Sequence, residues 1–201
     1  MTIPKIVVLT GGIGSGKTTV SAIFKKFNIN VIDTDLISSK LTGKNGNALE
    51  SLRESFDPKF FNVDGSLNKK LIRYEIFSNS SAKLKIESIL HPMISKEVET
   101  ETRAAKSSYV LQVIPLWVEK NKHLRPNIWK LVVVDCSESI QKYRATNRSK
   151  IDAFTFDKIK LNQAARSSRI ELADYVIDNN GTIDTLEPQV SKIHNLLLNN
   201  V

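Results

Sequence analysis

Residues 9–19 read Leu-Thr-Gly-Gly-Ile-Gly-Ser-Gly-Lys-Thr-Thr. Gly11, four intervening residues, then Gly16-Lys17-Thr18 match the G-x-x-x-x-G-K-[ST] spacing of a phosphate-binding loop. Each residue type has a chemical reason. Glycines accept positive φ and let the backbone approach closely, so successive N–H groups can turn inward around phosphate oxygens. A helix starting at the lysine would add the positive end of its dipole. Lys17 is a mobile point charge for the β- and γ-phosphates, and the Thr18 hydroxyl is placed to ligate Mg²⁺. The segment Gly12, Ile13, Gly14, Ser15, Gly16, Lys17, Thr18 and Thr19 is therefore expected to cradle a nucleotide triphosphate. The dinucleotide fingerprint G-x-G-x-x-G fails, because Lys17 stands where the third glycine belongs.

Phosphoryl transfer also needs cations around the transferring group and an acid at the acceptor. Asp33 and Asp35 follow the apolar pair Val31-Ile32, and Asp135 follows Leu131–Val134. One of the first two could face the site while the other is structural. Either could accept a hydroxyl proton or hold Mg²⁺ through water, with Asp33 the candidate for the metal. Asp135, just ahead of a helix start, is equally ordinary turn chemistry. Arg144 and Arg148 are spaced i, i+4 and share a helix face, and Arg166 and Arg169 form a second near pair. Arginine suits phosphate because its fork bonds two oxygens at once, although such pairs by themselves are also what a solvated helix carries. His91 precedes a proline, and His123 and His194 have no partners at ligand spacing, so no metal other than the nucleotide's Mg²⁺ is indicated. Trp117 and Trp129 read as packing residues, with Trp117 close enough to a strand end to wall a pocket.

The elements that must position these residues follow from periodicity. Ile6–Leu9 reads as a buried strand, and Val20, Ile23, Phe24 and Phe27 recur at helical spacing, so the loop lies between strand and helix. Asn30–Asp33, Tyr109–Ile114, Trp129–Asp135 and Asp174–Asp178 read as four further strands. Between the second and third lies a helical stretch. Its faces are Ala48, Leu49, Leu52 and Phe56, then Leu67, Leu71, Ile72, Ile76 and Phe77, with a turn at Asp64-Gly65 between them. Leu84, Ile86, Ile89 and Leu90 lead to His91-Pro92, after which a polar helix resumes to about Lys106. Residues 138–149 and 154–172 read as two charged helices, and about 183–199 as the last. Strands alternating with helices imply a parallel sheet covered on both faces, with ligands at the carboxyl ends of its strands.

With 201 residues, 41% of them apolar and 25% charged, the chain has the makings of one sizeable α/β core with small insertions. The net charge of +8 is spread without a Lys/Arg block, favouring polyphosphate substrates over nucleic acid. The single cysteine, Cys136, allows no internal disulfide or cysteine zinc site and suits a reducing cytosol. The apolar run before the glycines is too short for a signal peptide, and no stretch reaches the length of a membrane span. A cytoplasmic enzyme, monomeric or weakly self-associating and without membrane or nucleic-acid partners, is expected.

Taken in order, LTGGIGSGKTTV (9–20), VIDTD (31–35), DGSLNKKLIRYEIF (64–77), ILHPMI (89–94), IPL with Glu119 (114–119) and ADYVIDNNGT (173–182) resemble the dephospho-CoA kinase family. The resemblance implies a three-layer α/β/α P-loop kinase: a parallel five-stranded sheet, a helical insertion and a small helical lid. Residues 1–35 and 107–201 would form the nucleotide-binding core, with the lid at about 144–165, and residues 36–106 the acceptor-binding domain. The implied reaction is transfer of the ATP γ-phosphate to the ribose 3′-hydroxyl of dephospho-CoA, with Mg²⁺, the last step of CoA biosynthesis. By position, Asp35 corresponds to the family's base, and Arg144 and Arg148 to lid arginines acting with Lys17 on the phosphates. Asn179 and Gly181 fall near the adenine of ATP. Asp35, Lys40, His91, Pro92, Pro115 and Leu116 fall at the acceptor. Three places depart from the family: D-x-D-x-x-A-R ends here in Ser38-Ser39, followed by Lys40; P-L-L-F-E becomes Pro115-Leu116-Trp117-Val118-Glu119; and the family's arginine before Gln163 is not evident.

Other P-loop functions fit less well. A GTPase switch needs N-K-x-D, but leucine takes the acid position in both Asn121-Lys122-His123-Leu124 and Asn68-Lys69-Lys70-Leu71. A nucleic-acid-dependent ATPase predicts a basic stripe with exposed aromatics, and aromatics are 7% of the chain. A kinase of similar build acting on another nucleotide or small metabolite is the remaining alternative.

Overall fold

The computed structural model of the chain describes residues 4–121, 127–149 and 152–200. It divides into two compact units, Met1–Ile32 with Ala105–Val201, and Asp33–Ala104.

The first unit is built on a five-stranded parallel sheet of order β2-β3-β1-β4-β5. Its strands are β1 (Lys5–Thr10), β2 (Asn30–Asp33), β3 (Tyr109–Val113), β4 (Lys130–Asp135) and β5 (Tyr175–Asp178). β1 lies in the middle, with Val7 opposite Leu111 on one side and Lys130 on the other. Both faces are covered, so its residues alternate between two cores. Val7 and Leu9 pack with Val20, Ile23 and Phe24 of α1 (Lys17–Lys26), and with Leu186, Val190 and Leu197 of the C-terminal helix Ile183–Leu198. Val8, Leu131 and Val133 pack on the other side against Trp117 and Val118. Burial on both faces explains the unbroken apolar runs, and the arrangement is a three-layer α/β/α fold.

The second unit is helical: α2 (Thr34–Thr42), α3 (Leu49–Ser55), α4 (Lys69–Ser78) and α5 (Ser80–Ala104). Helix α5 packs against the other three, and Ile37, Leu41, Leu52, Ile72 and Ile86 are buried. The Asp64-Gly65 turn closes a short antiparallel bridge, Phe61 to Leu67, with Asp64 accepting from the Ser66 amide at 3.0 Å.

The remaining helices belong to the first unit: α6 (Trp117–Lys120), α7 (Glu138–Ser149), α8 (Ala153–Leu161), α9 (Arg166–Leu172) and α10 (Ile183–Leu198). Three sequence expectations need correcting. The helix does not pause at His91-Pro92: α5 runs through Pro92. A proline there forfeits only the bond to the Ser88 carbonyl, and Ser88, His91 and Pro92 are all exposed, so water can serve that oxygen. The stretch 154–172 is two helices, because the Ala164 peptide is engaged outside any helix: its N–H donates to Glu119 Oε1 at 2.8 Å and its carbonyl accepts from Arg169 at 2.6 Å. Strand β2 stops at Asp33, whose carboxylate caps α2 by accepting from the Asp35 and Leu36 amides at 2.9 and 3.2 Å. Asp35 therefore sits in the first turn of a helix rather than on a continuing strand.

His194 is a core residue. Its ring stacks on Phe27 with centroids 4.8 Å apart, and Nδ1 lies 2.8 Å from the Tyr109 hydroxyl. Burial pushes the imidazole below its ordinary value and the Tyr109 hydroxyl above its own. A histidine whose folded value is depressed takes up its proton more readily when unfolded. Its contribution to stability is thus intact above about pH 6.5 and is lost as pH falls toward the folded value. His194→Phe should strand the Tyr109 hydroxyl and cost about 1–3 kcal/mol at pH 7.5. It should also flatten the decline in stability between pH 6.5 and 5, as measured by denaturant titration across pH. An unchanged slope would remove His194 as its source.

Candidate active site

The loop between β1 and α1 is shaped before any ligand arrives. Gly16 caps α1 at φ +97°, and no side chain caps the helix, which leaves its N-terminal end open to an anion. Gly14 stands at φ +71°, and a Cβ there would run into the backbone of Gln141 on α7. Four elements hold the loop from outside. Asn179, after β5, donates to the Ser15 carbonyl at 2.7 Å, and Gln163, between α8 and α9, accepts from the Ile13 amide at 3.0 Å. Gln141 of α7 and Arg169 of α9 lie directly against Gly12. The Lys17 ammonium rests on the loop's own carbonyls, 2.7 Å from Gly11 O and 3.0 Å from Gly12 O. Thr18 is exposed in the first turn of α1.

Charge is concentrated at the carboxyl ends of β4 and β5. Arg144 of α7 donates to the Asn179 carbonyl at 3.0 Å and lies beside Gly16. Asn179 is itself 6% exposed and fixed through its amide to the Asp135 carbonyl at 2.8 Å. It thus joins the loop to the sheet and to Arg144. Gly181 lies exposed just beyond. Asp135 binds Arg166 through three donor contacts of 2.6–3.0 Å, and that pairing raises the guanidinium above its ordinary value. Arg169 is 6% exposed, and burial lowers its guanidinium while Glu119, at 3.9 Å, opposes that shift. Cys136 is a fully buried thiol pushed upward by desolvation. Trp117 is packed in the core. The Arg148 side chain and His123 lie outside the described residues.

In the helical unit Asp35 and Lys40 are exposed on α2, and His91 and Pro92 are exposed on α5. One oxygen of Asp33 is committed to the α2 cap. The Ser38-Ser39 departure does not leave this stretch without a cation, because the Lys69 ammonium donates to Ser39 Oγ at 2.8 Å. In the other unit, the Pro115 carbonyl accepts from Thr10 Oγ1 at 3.2 Å, and Leu116 is exposed beside it.

Sequence reasoning ranked Arg166 and Arg169 with ordinary solvated helix residues and gave Gln141 and Gln163 no part. The signal it lacked is spatial, since Arg166 meets Asp135 across 31 residues and Gln163 meets Ile13 across 150. What the sequence does show is a loop with glycine at 11, 12, 14 and 16, where positive φ or a crowded surround leaves little place for a side chain. Gly14→Ala should make that crowding measurable. The added methyl meets Gln141 at a positive φ, so stability should fall by about 1–3 kcal/mol, and nucleotide affinity, read by calorimetry, should drop at least tenfold. Wild-type affinity would mean that the loop is free to move aside.

The comparisons with known proteins converge. The dephospho-CoA kinase family model matches residues 5–185. A dephospho-CoA kinase of Nitrosospira multiformis is 40% identical over 189 residues, covering 94% of each chain. That of Escherichia coli is 38% identical over 189 residues, covering 94% of this chain and 91% of that one. In three dimensions TT1252 from Thermus thermophilus superposes with a TM-score of 0.83 at 23% identity over 98% of this chain and 99% of its own. With its phosphate loop, its strand-end charges and its relatives alike in accord, the chain belongs to the dephospho-CoA kinase family.

Proposed function

We propose that the protein transfers the γ-phosphoryl group of ATP to the ribose 3′-hydroxyl of dephospho-CoA, giving CoA and ADP. The observation that carries this reading is the externally braced loop, Gly11 to Thr18, in a chain that matches the dephospho-CoA kinase family from residue 5 to residue 185. Loop amides and the start of α1 receive the phosphates. Lys17, now on two loop carbonyls, exchanges them for phosphate oxygens, trading neutral acceptors for charged ones. Arg144, beside Gly16, and Arg148 from the same helix add positive charge as the transferring group loses its bond to ADP. The exposed Thr18 hydroxyl would help to hold Mg²⁺, which would neutralise phosphate charge. Among the described residues no three His, Cys, Asp or Glu side chains gather to hold a metal.

On the acceptor side Asp35 takes the proton of the attacking 3′-hydroxyl. Asp33, with one oxygen in the helix cap, is a support that keeps the Asp35 turn in place, its other oxygen being the candidate for water-mediated contact with Mg²⁺. Lys40, His91, Pro92, Pro115 and Leu116 contribute to holding dephospho-CoA, and Asn179 and Gly181 lie by the adenine of ATP. No described helix is long and apolar enough to cross a membrane, and we place the enzyme in the cytoplasm.

A coupled ADP-release assay should show turnover with dephospho-CoA and none with AMP, adenosine or shikimate. Turnover of AMP alone would reject the assignment in favour of a nucleotide kinase. Asp35→Asn should lower kcat by about 10²-fold or more, the scale of a general base, with ATP affinity nearly unchanged. Wild-type turnover in that variant would move the base elsewhere.

A further inference from the structure

Gln163 lies in the four-residue linker between α8 and α9, and its side chain does something no helix surface requires. Its Oε1 accepts from the amide of Ile13, in the middle of the phosphate loop, at 3.0 Å. The backbone next to it is pinned on both sides. Glu119 of α6 accepts from the Ala164 amide at 2.8 Å, and Arg169 of α9 donates to the Ala164 carbonyl at 2.6 Å. Arg169 is buried and Glu119 half-buried, so both bonds lie in a medium that strengthens them. Gln163 projects from the residue adjoining that clamp, with its own amide bonded to Lys160 O at 2.9 Å.

From this geometry we infer that Gln163 is a positioning residue for ATP. It fastens the outer turn of the phosphate loop to the clamped linker, so that the loop keeps its concave shape when the nucleotide is absent. Two points argue for a role in the loop rather than in general packing. The side chain is half-buried at a linker and contributes to neither apolar core. Its partner is a loop amide sitting between two glycines, Gly12 and Gly14, where the backbone has the least stiffness of its own. Without the bond the loop samples more shapes, and ATP must meet the ordering cost on binding. The same linker ends α8, so any shift of α8 reaches the loop through one side chain.

The inference rests on the kinase reading, but its test does not need the second substrate. Gln163→Met keeps the length of the side chain and removes the acceptor. Calorimetric titration with ATP alone should give a Kd raised about three- to tenfold, the scale of one neutral hydrogen bond. The melting temperature without ligand should stay within about 2 °C of wild type, and the KM for dephospho-CoA at saturating ATP within about twofold. Glu119→Gln, which weakens the clamp by making its acceptor neutral, should raise the Kd for ATP in the wild-type background and add little in the Gln163→Met background, because it acts through the same contact. Unchanged ATP affinity in Gln163→Met would overturn the inference, as would a loss matched by a fall in melting temperature of many degrees, or full additivity of the two substitutions. Absence of phosphoryl transfer to dephospho-CoA by the wild-type protein would instead count against the kinase reading and leave the ATP titrations to stand by themselves.

Discussion

A ring of backbone amides must be held concave around a place where concentrated negative charge will sit, and every other feature of the nucleotide-binding unit follows from that. A glycine-rich loop has little stiffness of its own and tends to relax. Here the relaxation is blocked from outside. Asn179 holds the Ser15 carbonyl, Gln163 holds the Ile13 amide, and the backbone of Gln141 leaves no room for a side chain at Gly14. Preorganisation of this kind is what makes electrostatic stabilisation effective, since little reorganisation remains at the moment of transfer.

The bracing residues come from the carboxyl edge of the sheet and from the helices beyond it, which explains the polarity of the whole unit. β1 ends at Thr10 and hands the chain to the loop, while β4 and β5 end at Asp135 and Asp178, beside the arginines and Asn179. A parallel sheet brings all these ends to one edge, so a single rim collects loop, cations and acids. The opposing charges there are paired rather than loose. Asp135 holds Arg166 with good geometry, and Glu119 faces the buried Arg169. Buried Arg169 and exposed Arg166 both gain direction from such partners.

The helical unit uses a different device. One carboxylate, Asp33, closes a strand and opens a helix, and in doing so fixes the turn that carries Asp35. Two acids two residues apart, interchangeable on paper, are separated in role by a pair of amide hydrogen bonds. The serines at 38 and 39 are likewise less of a departure than they look, since the Lys69 ammonium stands on Ser39.

Much of this was legible from the chain alone. Residue spacing marked the phosphate loop, and apolar periodicity marked the strands and helices, because both depend on neighbours within a turn or two. The family's segments, read in order, pointed to the reaction. Local pattern misled where a distant partner outweighed it. Pro92 does not end α5, since the other helices of its unit pack along α5 and the one freed carbonyl belongs to an exposed residue. Residues 154–172 do not form one helix, since Glu119 and Arg169 take the Ala164 peptide. Gln163, Gln141 and Arg169 carried no local signal of any kind. What the sequence by itself determined was which backbone would receive phosphate, because that depends on glycine, lysine and threonine at fixed short spacing. What only the tertiary structure decided was how that backbone is kept in shape, because its supports lie up to 164 residues away along the chain and meet it only when the sheet brings its strand ends together.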